Sequence, residues 1–301
     1  MKISDYLTKD DINRFTAKSD LHAWRLVLGN WMLIALVFAL VAAYPNPLTI
    51  LVAMVLLAGR QLGLSVLMHE AGHRTLFRTP RLNDVVGQWL CAAPVFSNLP
   101  SYAKGHLEHH RKAGTHDDPD LPNYAAYPIS SESFRRKVVR DLTGQTGFKL
   151  LSAIARGASG IISTQKRDSA WPFIQELIAQ VLLFAVLYAF GIGWAYLIWL
   201  GAFLTFFMLI IRVRQVAEHA AVPDLYDRDP RKNTRTVDAP WWQKLVFAPN
   251  GVNYHMEHHF MASVPCYRLR ALRDHLRAQH ALDDVPAFSG YGQLLKHAVA
   301  V

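Results

Sequence analysis

The 301-residue sequence predicts an all-α integral membrane protein: four transmembrane helices in two hairpins, with a cytoplasmic helical cap that carries three histidine boxes. Three observations carry that reading: long uncharged runs, cations confined to one side of them, and histidines repeated at helical spacing. Residues 26–43 hold no charge, and residues 48–68 hold only Arg60. Either run is long enough to cross a hydrocarbon core of about 30 Å. Residues 171–211 contain a single charge, Glu176, and are too long for one crossing but right for two, with Gly191 and Gly193 at the reversal. The spans are therefore expected at about 26–43, 48–68, 171–190 and 193–211. An N-terminal arm at 1–25 and a cap at 69–170 and 212–301 complete one domain over 1–301.

Cation placement gives the orientation, because Lys and Arg stay on the cytoplasmic side. Of 32 cations, 5 lie in residues 1–25, 14 in 74–167, 12 in 212–296, and Arg60 lies within a span. Neither short connection, 44–47 or 190–194, holds one. Both termini and the loop 74–170 are then cytoplasmic, in a multi-pass protein of a bacterial inner membrane or the endoplasmic reticulum. The net charge of +9 follows from this topology and the anionic inner leaflet. No recognition motif supports a nucleic-acid partner. The first 25 residues are polar and lack a cleavable-signal pattern. Cys91 and Cys266 fall on the reducing side and receive no role.

In chain order, Pro45 and Pro47 break the first hairpin. Gln61, Ser65, His69 and His73 are four apart and form one polar stripe, which in a span faces the bundle or a cavity. Residues 85–96 are apolar but too short to span, so an interfacial or re-entrant helix is expected. A turn rich in carboxylates follows at 114–120. Residues 148–162 read equally as a helix on the membrane surface or a solvated basic linker. Arg212, Gln215 and His219 share one face of a helix continuing out of the last span. Residues 221–240 are expected as a loop, Trp241 and Trp242 as an interfacial anchor, and 267–280 as an amphipathic basic helix.

The histidine boxes are His69 and His73; His106, His109 and His110; and His255, His258 and His259. Positions i, i+3 and i+4 share a helix face, so each box aims its imidazoles one way. With 14 histidines in 301 residues, three such boxes on one membrane side are not a chance pattern. Isolated His22, His275, His280 and His297 are treated as ordinary surface residues, and His116 is unassigned. The first box also matches the zinc-protease pattern H-E-x-x-H, with Glu70 as base. That site needs one further ligand and would leave six or more histidines idle. A carboxylate-rich di-iron site wants two Glu-x-x-His pairs, and only Glu70 with His73 supplies one. A non-enzymatic metal carrier would place its histidines along the spans.

With its boxes placed, the sequence from about residue 48 to 280 resembles the integral-membrane fatty acid desaturase and hydroxylase family. The resemblance implies that the eight box histidines bind two irons. It implies a ninth ligand just after the last span, where His219 sits, and an Asn one turn earlier reaching a metal through water, where this sequence has Gln215. Iron suits neutral imidazole ligands, and dioxygen would be the co-substrate. Glu108, Asp117, Asp118, Asp120 and Glu257 are expected to fix imidazole tautomers by hydrogen bonds. The implied activity is lipid desaturation on a membrane lipid or acyl substrate, with hydroxylation or ketolation of a lipid, sphingoid or carotenoid chain as the alternative. No haem or iron–sulfur motif is present, and two cysteines cannot hold a four-cysteine cluster. Electrons would come from a separate carrier, ferredoxin-like or a b-type cytochrome, steered by the basic cytoplasmic face.

Reporter tags inserted after Tyr44 or Gly193 are accordingly expected outside the cytoplasm, and tags after Lys149 or at the C-terminus inside it. A cytoplasmic tag at Gly193 would break the four-span arrangement.

Overall fold

The structure, a computed structural model, describes residues 2–163 and 167–300, without the side chains of 158–163 and 167–169. Residues 164–166 of the expected cap, with Met1 and Val301, lie outside the described residues. The chain is 72% helical. Among the described residues four helices are long and apolar enough to cross a membrane, and the polar segments gather in a cap.

The first span, Asp20–Ala43, begins earlier than the uncharged run because Ser19 caps it, its Oγ accepting from the backbone N–H of His22 at 3.4 Å. Along it Leu28, Met32 and Leu36 are exposed on one side, toward lipid, while Val27, Ile34 and Val41 are buried on the other. Tyr44 ends it. Asn46 then caps the second span, Pro47–Gly72, its side chain accepting from Thr49 at 3.0 Å, with Pro47 in the first turn where its missing N–H costs nothing. The third span is Ala170–Ala189 and the fourth Gly193–His219. Gly191, at φ +75°, makes the turn between them. The second span therefore runs on through His69, and the fourth runs past its apolar stretch to His219. Both carry ligand candidates on rigid helix ends.

Polar groups inside the spans face inward. Arg60 donates to Oδ1 of Asn30 at 3.2 Å and to the carbonyl of Leu245, and Asn30 donates back to the Arg60 carbonyl at 3.1 Å. Gly63 makes room for that pair, since a Cβ there would sit 2.2 Å from Asn30 Oδ1. Gln61 donates to the Trp199 carbonyl at 2.9 Å and ties the second span to the fourth.

The short apolar run continues the helix Pro80–Val86 through a wide turn, Gly87–Ala92, and a tight one, Ala93–Val95, against the second span. It ends at Phe96, held at φ +53°. The surface-helix reading of 148–162 corresponds to the helix Gln145–Ser163. It approaches the fourth span so closely that a Cβ on Gly147 would lie 2.5 Å from the Leu204 carbonyl oxygen. The cap adds Leu99–Lys112, His255–Phe260 and Cys266–Ala278. In the connection from the fourth span, Arg235 donates to the carbonyls of Ala220 at 3.0 Å and Ala221 at 2.7 Å, satisfying the helix end that carries His219. Among the described residues the only sheet is a two-residue parallel pairing of Ile129–Ser130 with Val299–Ala300.

Candidate metal centre

Four helical pieces converge on one place. The end of the second span brings His69 and His73, the helix Leu99–Lys112 brings His106, His109 and His110, the end of the fourth span brings His219, and the short helix His255–Phe260 brings the remaining three. The imidazoles fall into two groups. His69, His73, His106, His110 and His258 form one; His109, His219, His255 and His259 form the other. Within each, one nitrogen per residue lies within 4.8 Å of all the others. The groups touch where His110 and His259 stack, 4.2 Å between centroids.

Hydrogen bonds decide which nitrogen faces inward. Nδ1 of His109 donates to Asp118 at 2.8 Å, Nδ1 of His69 faces Glu70 at 3.0 Å, and Nδ1 of His219 donates to the Asn233 carbonyl at 3.1 Å. Nδ1 of His255 lies 3.6 Å from Glu218. With the proton on Nδ1, the Nε2 lone pair is free for a metal. These lone pairs meet: His219 and His255 Nε2 are 2.9 Å apart, and His109 and His259 Nε2 are 3.4 Å apart. His110 Nε2 lies 2.9 Å from that of His258 and 3.0 Å from that of His106. Buried Nε2 of His73 and Nδ1 of His258 have no hydrogen-bond partner. Facing lone pairs repel unless a cation sits between them, so the donor set fits two metal ions.

Burial, then the crowding of neighbouring imidazoles, pulls the pKa values of His106, His110, His255, His258 and His259 far below the usual histidine value. The rings are neutral near pH 7, the form that binds metal. Burial opposes the charge on Asp118, but hydrogen bonds from His109 and the Tyr124 hydroxyl outweigh it and hold its pKa below the ordinary carboxylate value. Tyr124 also stacks on His219, 4.9 Å between centroids.

The carboxylates expected around the imidazoles divide. Asp118 makes the contact just described, and Asp120 approaches Nδ1 of His109 at 3.8 Å. Glu108 points away: one position from His109 is a different helix face, and it pairs instead with Arg111 at 2.6 Å and Lys112 at 3.0 Å. Asp117 is exposed, and its backbone N–H bonds Thr115. Glu257 is buried but turned from the rings, bonded to Thr236 and Arg273. Gln215 lines the adjoining cavity without a hydrogen bond to any described residue. Glu70 and the Asn233 carbonyl take the roles expected of Glu108 and Glu257, and Glu218, held by Arg214, lies beside His255 without bonding it. The two carboxylates directly precede or follow a ligand candidate, a weak signal; a backbone carbonyl leaves none. Glu70 is fully engaged, its other oxygen accepting from Thr75 at 3.0 Å and the Cys266 N–H at 2.8 Å. It is therefore not a free base of the zinc-protease kind.

A family model described as fatty acid desaturase matches residues 45–291. The chain belongs to the fatty acid desaturase family. It is 28% identical over 216 residues to a sphingolipid delta(4)-desaturase DES1-like protein of Arabidopsis thaliana, covering 69% of this chain and 57% of that one. It is 25% identical over 268 residues to an sn-1 oleoyl-lipid 12-desaturase of Picosynechococcus, covering 83% and 75%. A beta-carotene ketolase of Paracoccus matches at 34% over 100 residues, 32% of this chain and 40% of that one. The chain spans only 57–64% of the length of three of the relatives it matches.

Metal analysis of the purified desaturase-family chain is expected to find about two ions, one per imidazole group. His258→Ala and His255→Ala should each leave about one. Asp118→Asn should weaken one site by about 10–100-fold, whereas Glu108→Gln should leave both intact. Two ions in both histidine variants would contradict the grouping.

Proposed function

We propose that the chain is an oxygen-dependent di-iron desaturase that introduces a double bond into a fatty acyl or related lipid chain. Electrons would come from a separate carrier, ferredoxin-like or a b-type cytochrome. One observation carries the reading: ligand candidates of both imidazole groups, His106 from one and His109, His219 and His255 from the other, line a single cavity of about 480 Å³. All-imidazole donor sets suit iron, while zinc sites of this kind rarely gather more than four. When bound, the two irons supply dioxygen reduction and hydrogen removal from an unactivated methylene.

The chain's own residues do the rest. His69, His73, His106, His110 and His258 would hold one ion, and His109, His219, His255 and His259 the other. Asp118, Glu70 and the Asn233 carbonyl keep the protons on the outward nitrogens. Val95, Phe96, Phe203, Phe207 and Ile211 give the cavity an apolar wall that excludes water and lays a methylene chain beside the ions. With both termini cytoplasmic, the cap faces the carrier, and the basic residues of that side favour an acidic partner.

Hydroxylation or ketolation is the second reading, motivated by the Paracoccus relative, and both outcomes begin with the same hydrogen removal. Desaturation requires a second hydrogen from the adjacent carbon before oxygen is transferred, so placement of the chain decides. The test feeds a deuterated saturated lipid in the presence of labelled dioxygen. Loss of two deuterons from neighbouring carbons is the expected result. Loss of one with gain of labelled oxygen means a hydroxylase, and turnover without dioxygen sinks the proposal.

A further inference from the structure

The cavity beside the imidazoles is graded from apolar to polar. On the fourth span Phe203, Phe207 and Ile211 line one end, and Arg214, Gln215 and Glu218 follow toward His219. At about 1.5 Å per residue, the apolar part extends roughly 12 Å from Ile211 into the span. At its deep end the left-handed backbone of Phe96 sets that ring against Phe203, 4.7 Å between centroids. The metal-binding end is different. There Asp120 and Asn123, from the loop after the second box, and Ser101, from the helix that carries His106, line the cavity with His106, His109, His219 and His255.

These polar side chains are not used by the fold. No described residue donates a hydrogen bond to the Asp120 carboxylate, and His109 Nδ1 at 3.8 Å is too far to do so. The side chains of Asn123, Ser101 and Gln215 likewise make no hydrogen bond to described residues. Arg214 is committed, gripping Glu218 through two bonds of 2.6 and 2.9 Å. Threading a plain methylene segment past this end would strip water from a carboxylate, two amides and a hydroxyl without replacing a hydrogen bond. A lipid whose mid-chain carbons are attacked would have to make that replacement. A substrate with its own donors there would not.

Resting on the reading of this site as one that oxidises a lipid chain, we propose that the substrate is an amphiphile whose hydroxyl- or amide-bearing head sits against Asp120 and Asn123, its tail running toward Phe203, so that the carbon attacked is among the first few beyond the head. Hydroxyl and amide N–H groups donate to Asp120, and the Asn123 amide both donates and accepts. The head, rather than the methyl end, then sets the position of attack, and chain length does not move it.

The test uses the full chain purified in detergent with its bound metal and two saturated probes of equal chain length. One is an N-acylated 2-amino-1,3-diol; the other is the same amide lacking both hydroxyls. Equilibrium binding should favour the diol by about tenfold, and Asp120→Ala combined with Asn123→Ala should abolish that preference. Equal binding of the two probes by the unaltered chain overturns the proposal whether or not turnover is seen. Product mapping by mass spectrometry on a diol series of increasing chain length should place the change at a constant distance from the head. A position constant from the methyl end, or mid-chain attack on a saturated phosphatidylcholine in preference to the diol, overturns it too. Selective diol binding without any unsaturated or oxygenated product would uphold the head site while defeating the desaturase reading.

Discussion

Everything in this structure depends on turning buried, neutral imidazoles inward with their lone pairs facing. That arrangement is unfavourable in itself, because each ring gives up water and meets the lone pairs of its neighbours. Three acceptors outside the ring of histidines hold it: Asp118 on His109, Glu70 on His69, and the Asn233 carbonyl on His219. Each accepts a hydrogen bond from Nδ1–H and leaves Nε2 free. Each is itself fixed in turn, Asp118 by Tyr124, Glu70 by Thr75 and the Cys266 backbone, and the segment before Thr234 by the helical turn Pro230–Asn233.

The scaffold serves that constraint. Both spans that deliver histidines run on past their apolar stretches, so the imidazoles sit on helix ends rather than on loops. Arg235 satisfies the last carbonyls of the fourth span, and Arg273 with Thr236 anchors Glu257 so that the third box faces inward. Arg60, the one cation within a span run, bonds Asn30 and the Leu245 carbonyl, locking the second span to the first and to the cap. Removing Asn30 takes a hydrogen-bond acceptor from the buried Arg60 guanidinium, which typically costs about 1–3 kcal/mol. Activity and assembly therefore share residues remote from the imidazoles.

Much of this was legible in the sequence. Uncharged run length located all four spans, and i, i+3, i+4 spacing picked out imidazoles that do meet in space. The sequence also placed His69 on the polar stripe of the second span and His219 on the helix continuing from the fourth, where the structure has them. What escaped was whatever depends on packing between distant segments. Glu108 and Glu257 looked like imidazole partners by adjacency, yet Glu108 is drawn to Arg111 and Lys112 and Glu257 to Thr236 and Arg273. Glu218 escaped because His255, beside it in space, is 37 positions away in the chain. The polar end of the cavity could not be foreseen either, since Ser101, Asp120 and Gln215 come together only once the cap closes over the spans.

The central claim is that the histidines form two adjacent all-imidazole metal sites, and X-ray absorption at the metal edge of the purified protein tests it most directly. The account predicts two metals per chain, each with a shell of nitrogen ligands carrying the multiple-scattering pattern of imidazole, and a metal–metal component. A single metal per chain, or a shell containing sulfur or dominated by carboxylate oxygen, would contradict it.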